Sequence, residues 1–442
     1  MGVAQSLFGR VRSLRPRTIL LAAFALFVLY GFPGYMSSDS VLQLTEARTG
    51  HFTDGNPPLM AAEWWFLDRI IAGPVLMLFL QGGLMLGGLY VIMRRLVEPR
   101  PAAWIAGGIF VFPPVMVVMA VIWKDSQMAA YLVAGTAALI QPRLRTRLIG
   151  IALLVAACSI RHNAVAAVVP LIAVLFEWKQ GLRWTRRLAI VTVVAIVVGA
   201  AGFGVTRLLA GKHVKLTPVF NDIVGVIAYS DHRTDDDLRN VLRGVPLAND
   251  ELLQVHARIL VQAHHGWYVM WGYGDPFFRP PTSEADWDAL GRAWKELVLA
   301  DPRAYLAFHR DQFWRLLHVP DPDDEYPGAV WNRFLESDEQ LPWIDHDASF
   351  SWFQERLGIG VLYKLDQYTP LFSPWLYAVL ALLLIPLCRK GLPFALFISG
   401  LLYELSYFPV GVEPEYRYSH WMVVATVIAT IVLFIQRRRA RP

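Results

Sequence analysis

Long apolar runs, punctuated by short basic clusters, recur along most of this 442-residue chain, and no other feature constrains its fold so strongly. A helical span of the bilayer core takes about 20 apolar residues, with a range of roughly 17–25. Inside that core only helices and closed barrels satisfy their own backbone. The runs 18–36, 70–93, 102–122, 127–141, 188–209, 373–388, 392–409 and 420–436 read as spans. The stretch 148–178 is apolar except for Arg161-His162-Asn163 at its middle. A single span with Arg at its centre is costly, so two short spans, 148–160 and 164–178, meeting at an outside turn fit better. The expectation is an all-α polytopic membrane protein with about ten transmembrane helices.

Basic residues test that count, because cytoplasmic loops carry the excess of Lys and Arg. Clusters lie at Arg10/Arg12/Arg15/Arg17, Arg94/Arg95/Arg100, Arg143/Arg145/Arg147, Lys179/Arg183/Arg186/Arg187, Arg389/Lys390 and Arg437/Arg438/Arg439/Arg441. With ten spans all fall on one side and both termini are cytoplasmic. With 148–178 as one span, every cluster after Arg147 would switch sides. The N-terminus is basic before its apolar run, as in a signal peptide. The run is long enough to span and no small-residue cleavage site follows, so it reads as a retained anchor.

Composition agrees. Hydrophobic residues make up 55% and charged residues 17%, against roughly 25% charged in globular proteins. The net charge of +5 sits beside apolar runs, where orientation requires it, and gives no reason to expect nucleic acid. Cys158 and Cys388 both fall in or beside expected spans, so neither a structural disulfide nor a C-x-x-C site is expected. There is no P-loop, G-x-G-x-x-G, H-E-x-x-H or G-x-S-x-G. Residues 210–372 form one long outside segment of domain length, expected to be mainly helical. Within it Asp301–Leu317 reads as an amphipathic helix, with Tyr305, Phe308, Phe313, Leu316 and Leu317 near helical spacing. The chain thus divides into residues 1–209 with seven spans, 210–372 outside, and 373–442 with three spans.

Short turns on the outer side carry polar groups that need explaining: Asp39; Asp54 with Asn56; Trp123-Lys124-Asp125; Arg161-His162-Asn163; and Glu415-Tyr416-Arg417-Tyr418. Carboxylates beside several cations, at membrane level, suit transfer of a sugar from a lipid phosphate. A carboxylate takes the proton of an acceptor hydroxyl, and cations stabilise the departing phosphate. Plainer readings stand beside this one. Asp39 reads equally well as a helix cap, Asp54-Gly-Asn-Pro-Pro is first of all a turn, and Lys124 can snorkel. Arg417 sits among aromatics that anchor at an interface. Arg161 splits an apolar stretch, where charge is functional by default, although pairing with Asp125 or with Glu404, an acid inside an expected span, would make it structural. The acidic run 321–325 lacks the ligand spacing of an EF-hand.

The order of these motifs resembles the GT-C superfamily of membrane glycosyltransferases. More narrowly it is similar to the aminoarabinose transferases and protein O-mannosyltransferases that use polyprenyl-phosphate sugars. Those families carry an Asp in the first outer loop, usually as Asp-Glu, then a Lys/His-Pro-Pro-Leu turn. Here Asp39-Ser40 and Asn56-Pro57-Pro58-Leu59 stand in those places. Lys124-Asp125-Ser126 matches the later Asp at the outer start of the fourth span, Ser159-Ile-Arg161-His162-Asn163 the basic turn between two short helices, and Arg417-Tyr418 the late Arg-Tyr element. Ser40 replaces Glu, Asn56 replaces Lys/His, and Arg161 replaces Lys. The resemblance covers the seven N-terminal spans and one C-terminal element.

The resemblance implies inverting transfer from an undecaprenyl- or dolichyl-phosphate sugar to a lipid, glycan or protein acceptor at the outer face of the membrane; the strong preference for Arg over Lys suggests a bacterium, and hence its inner membrane. Asp39 would be the general base. Lys124, Arg161 and Arg417 would hold the leaving phosphate. Asp54, Asn56, Asp125, His162, Asn163 and Tyr418 would complete the substrate site, with no metal or other cofactor favoured. A lipid-linked glycan polymerase or ligase, and a flippase of a lipid-linked intermediate, are the competing classes. Inverted repeats, the mark of many transporters, are not evident.

Overall fold

The computed structural model describes residues 14–175, 183–211, 219–231, 233–262, 276–319, 351–388, 390–411 and 414–439. Among these every regular element is helical, and the only strand-like pairings are two isolated bridges, Tyr35 with Val121 and Leu247 with Phe278. The chain forms two compact units. The first comprises the described residues of Met1–Val214, Gly328–Leu405 and Tyr416–Pro442, and the second those of Lys215–Pro327 and Ser406–Glu415.

The first unit begins with α1 (Pro16–Gly31), α2 (Ser38–Thr49), α3 (Leu59–Asp68) and α4 (Val75–Arg94). It continues through α5 (Pro99–Phe110), α6 (Pro113–Met119), α7 (Lys124–Leu139), α8 (Leu144–Ile160), α9 (Val165–Leu175) and α10 (Trp184–Leu209). The second unit contains α11 (Val219–Tyr229), α12 (Asp235–Val241), α13 (Leu253–Gln262), α14 (Glu284–Ala300) and α15 (Pro302–Leu316). The first unit resumes with α16 (Trp352–Leu357), α17 (Tyr363–Tyr368), α18 (Pro374–Leu384), α19 (Gly391–Leu405) and α20 (His420–Arg439).

Among the described residues three helices are long and apolar enough to cross a membrane: α4, α10, and α20 with its lead-in from Tyr416. This fits a membrane protein. Along α10 the apolar side chains Leu188, Val193, Ile196, Val197, Phe203 and Leu208 are exposed, a face suited to lipid rather than water. The run 102–122 is not one straight helix. It is α5 and α6, bent by 67°, because Pro113 and Pro114 remove two amide donors and Pro113 pushes Phe112 out of helical geometry. The apolar stretch 148–178 breaks at Arg161, whose backbone is extended between α8 and a 3-10 turn, His162–Ala164, that leads into α9.

Close helix approach explains the packing of α7. A Cβ at Gly150 would stand 2.7 Å from the Leu139 nitrogen, and one at Gly135 would stand 2.8 Å from Leu154. Glycine at these two positions lets α7 and α8 touch backbone to backbone, as membrane helices do through small residues. α7 is buried along most of its length from Asp125 to Leu139, with Ala134 and Ala138 only partly covered. Residues 351–372 belong to the first unit, although the sequence reading groups them with the outer segment. Gln354 of α16 donates to Tyr30 O at 3.0 Å and Phe32 O at 2.7 Å, satisfying carbonyls at the end of α1.

The second unit has its own core, built around Phe220, Ile223, Val224 and Ile227 of α11. The expected amphipathic helix is α15, capped by Asp301, whose carboxylate accepts from Ala304 N at 3.0 Å. Its buried face carries Phe308 and Leu316 but also His309 and Gln312. His309 Nε2 lies 3.2 Å from Asp222 Oδ1 of α11, and Asp222 Oδ2 accepts from Trp294 Nε1 of α14 at 2.8 Å, so Asp222 stands between α15 and α14. The acidic run 321–325 lies outside the described residues.

Candidate functional site

The segment after α1 folds back on the segment before α7. Tyr35 N donates to Ala120 O at 3.0 Å, and Ile122 N donates to Tyr35 O at 2.9 Å. Two serines fasten the same junction. Ser40 Oγ donates to Ile122 O at 2.7 Å and accepts from Ser37 N at 3.0 Å, while Ser37 Oγ accepts from Trp123 Nε1 at 2.7 Å. Ser37 and Ser40 therefore form the capping box that opens α2. Asp39, one turn position away, is left free of capping.

The Asp39 carboxylate instead receives Arg417 Nη1 at 2.7 Å. Arg417 comes from the 3-10 turn Tyr416–Ser419, which precedes α20, so the pair joins residues 378 positions apart. The guanidinium is 5% exposed and lies 4.9 Å above the Trp123 ring and 5.1 Å from the Tyr418 ring. Asp39 keeps 16% of its side chain exposed. Burial alone would raise its pKa. Arg417 foremost, then Lys124 and Arg161, outweigh that and bring it down to about 2.

Lys124 opens α7, and its ammonium donates to Asn56 Oδ1 on the Pro-Pro turn. It makes no ion pair among the described residues, which leaves N–H donors uncommitted. Loss of solvent pulls its pKa down to about 8, with Asp39 and Asp125 opposing the fall and Arg161 and Arg417 adding to it. Its neighbour Asp125 is fully buried and bound to Arg161: Nη2 to Oδ2 is 2.8 Å, with side-chain exposures of 15% and 0%. The second Asp125 oxygen has no partner among the described residues. Arg161 also lies 4.7 Å from the Tyr418 ring, so Tyr418 is flanked by both guanidinium groups.

His162 and Asn163 follow on the same 3-10 turn. The His162 ring packs 6.0 Å from Phe203 of α10, and its pKa is lowered chiefly by desolvation, with Asp54 pulling the other way. The structure thus gathers Asp39, Asn56, Lys124, Asp125, Arg161, Arg417 and Tyr418 into one connected cluster, with Asp54, His162 and Asn163 at its margin. Three cations meet two carboxylates, and a third, Asp54, acts on His162.

Of the groups that brace this cluster, only Glu404 stands out in the sequence, as a candidate partner of Arg161, and its carboxylate accepts from Ser419 instead. Glu63 of α3 accepts from Tyr131 Oη at 2.5 Å and from Gln127 Nε2 at 3.3 Å, tying the helix after Asn56 to the helix that begins at Lys124. Ser419 Oγ donates to Glu404 Oε1 at 2.6 Å, and Trp421 Nε1 donates to Ser399 Oγ at 3.0 Å, so α19 holds the turn that carries Arg417. Among the described residues no group of three or more His, Cys, Asp or Glu side chains is arranged to hold a metal ion. Comparison of the chain with protein families, curated proteins and solved structures finds no match.

Proposed function

We propose that this chain is an integral-membrane glycosyltransferase of GT-C type, which moves a sugar from a polyprenyl phosphate to an acceptor hydroxyl. In this reading the chain crosses a bacterial inner membrane ten times with both termini cytoplasmic. The bent pair α5–α6 is one broken span, and the short helices α8 and α9 meet at an outward turn. The second compact unit is the outer domain. The Asp39 cluster then faces outward at head-group level.

One observation carries the proposal: a partly open carboxylate stands among three cations, one of which, Lys124, has no ionic partner of its own among the described residues. A phosphate is the ligand that such an ammonium completes, as a compact point charge with rotatable donors. Arg161 is committed to Asp125, so its part is to hold the turn and add field. In this reading Arg417 exchanges one anionic partner for another. In the resting site it neutralises Asp39 and keeps it a weak base. A donor phosphate competes for the same guanidinium, which binds phosphate oxygens with its planar fork. As Arg417 turns to the phosphate, Asp39 loses its counter-charge and gains basicity.

Asp39 then takes the proton of the acceptor hydroxyl, the acceptor oxygen bonds to the anomeric carbon, and the bond from that carbon to the phosphate oxygen breaks. The polyprenyl phosphate departs with the extra negative charge, met by Lys124 and Arg417. Attack from the face opposite the phosphate inverts the anomeric centre. The test is transfer by purified protein in proteoliposomes, supplied with polyprenyl-phosphate sugars and membrane extract as acceptor. Asp39→Asn should bind donor and lose transfer. Undiminished turnover in that variant would return Asp39 to a purely structural pairing with Arg417.

A further inference from the structure

Away from the Asp39 cluster, a groove of about 610 Å³ runs between α4, α7 and the start of α8, within the roughly 300–1,000 Å³ typical of ligand sites. Its apolar floor includes Gly83, Gly87, Ala134 and Ala138. A Cβ at Gly83 or Gly87 would meet nothing within 4 Å, whereas one at Gly88 would already stand 2.8 Å from Val133. The first two glycines therefore open a channel, while the third packs the helices together. At one end the lining turns polar, with Gln141, Arg143 and Thr146. Arg143 is exposed, precedes α8, and makes no ion pair among the described residues. No acid is among the lining residues.

We propose that this groove binds one anionic phospholipid, with an acyl chain along the glycine and alanine floor and the phosphate against Arg143. The floor belongs in part to α4, which is long and apolar enough to span the membrane, so its open face meets acyl chains. A cation at the end of such a groove, with no acid to neutralise it, selects an anionic head group, as basic pockets between membrane helices do. Small residues also serve helix association. A two-fold contact between copies through this face would bring two unpaired arginines together with no lining acid between them, so charge favours the lipid. The site is independent of the proposed transfer reaction.

Native mass spectrometry of the full chain in detergent tests this, with phosphatidylglycerol and phosphatidylcholine of identical chains as probes. The wild type should retain one phosphatidylglycerol in preference to phosphatidylcholine. Arg143→Ala should lower that preference about fivefold, the contribution of one cation near a membrane surface, while still binding lipid. Gly87→Leu and, separately, Gly83→Leu should fill the channel and abolish retention of both lipids. Both replacements put a better helix former at an uncrowded position, and Arg143→Glu supplies a variant that leaves the floor untouched. Equal retention of the two lipids by wild type would overturn the proposal. So would unchanged retention in both leucine variants, or a dimer mass that those variants abolish.

Discussion

Asp39 and Lys124 divide the chemistry of the proposed site, and each makes its own prediction. Asp39→Asn removes the base but keeps the side chain's size, so transfer should fall by about 10²–10⁴-fold with donor binding retained, as measured by turnover beside lipid binding. Lys124 titrates at about 8, so it is mostly charged at neutral pH and neutral above. Donor affinity should therefore weaken as pH rises through 8, and Lys124→Arg, which stays charged, should move that loss to higher pH even if it binds less well at pH 7. A binding curve flat from pH 7 to 9 in the wild type would remove Lys124 from the phosphate site. Arg161 behaves differently, because Asp125 is its partner at 2.8 Å. Arg161→Ala strands a fully buried carboxylate and should cost about 3–5 kcal/mol of stability. Adding Asp125→Asn should recover a large part of that, as read by melting temperature in detergent. These residues were legible because each is a charge between apolar runs. Ser40 and Glu63 were not: a serine carries no signature of capping and bridging at once, and the partner of Glu63, Tyr131, lies 68 positions away.

At the scale of elements, the site is made of helix beginnings. α7 starts at Lys124 and α2 at Ser38, and the break between α8 and α9 exposes Arg161. Such boundaries are legible where apolar runs stop at polar residues, as at Arg161. They are hidden where proline bends a continuous apolar run, as at Phe112-Pro113-Pro114. The Glu63 clamp between α3 and α7 adds a pH-dependent term. Burial raises the Glu63 pKa to about 7, with the Tyr131 and Gln127 hydrogen bonds opposing the rise. A carboxyl raised above its unfolded value favours the folded state below pH about 4.5, and this contribution is lost as pH climbs through 7. The effect is bounded at about 3 kcal/mol by the size of the shift. Glu63→Gln should therefore flatten the decline in melting temperature between pH 5 and 8. An identical slope in both proteins would show that the clamp does not titrate.

For the whole molecule, apolar runs and basic clusters made the helical class legible, and the two compact units locate the second core in the middle of the chain. Less legible was that residues 351–372 join the first unit, since Gln354 finds carbonyls of Tyr30 and Phe32 more than 300 positions away. The proposed ten-span orientation predicts that cysteines at 161–163 and 415–418 label from the outer side and that cysteines at 143–147 do not. Outside labelling of 143–147 would reverse the orientation and place the Asp39 cluster on the cytoplasmic side. The central claim, that this cluster receives a lipid phosphate, is tested most directly by a cryo-EM map of the full chain with polyprenyl phosphate. The account predicts the phosphate within hydrogen-bond distance of Lys124 Nζ, with Arg417 turned from Asp39 towards it. A head group bound elsewhere, with the Asp39–Arg417 pair intact at 2.7 Å, would contradict it.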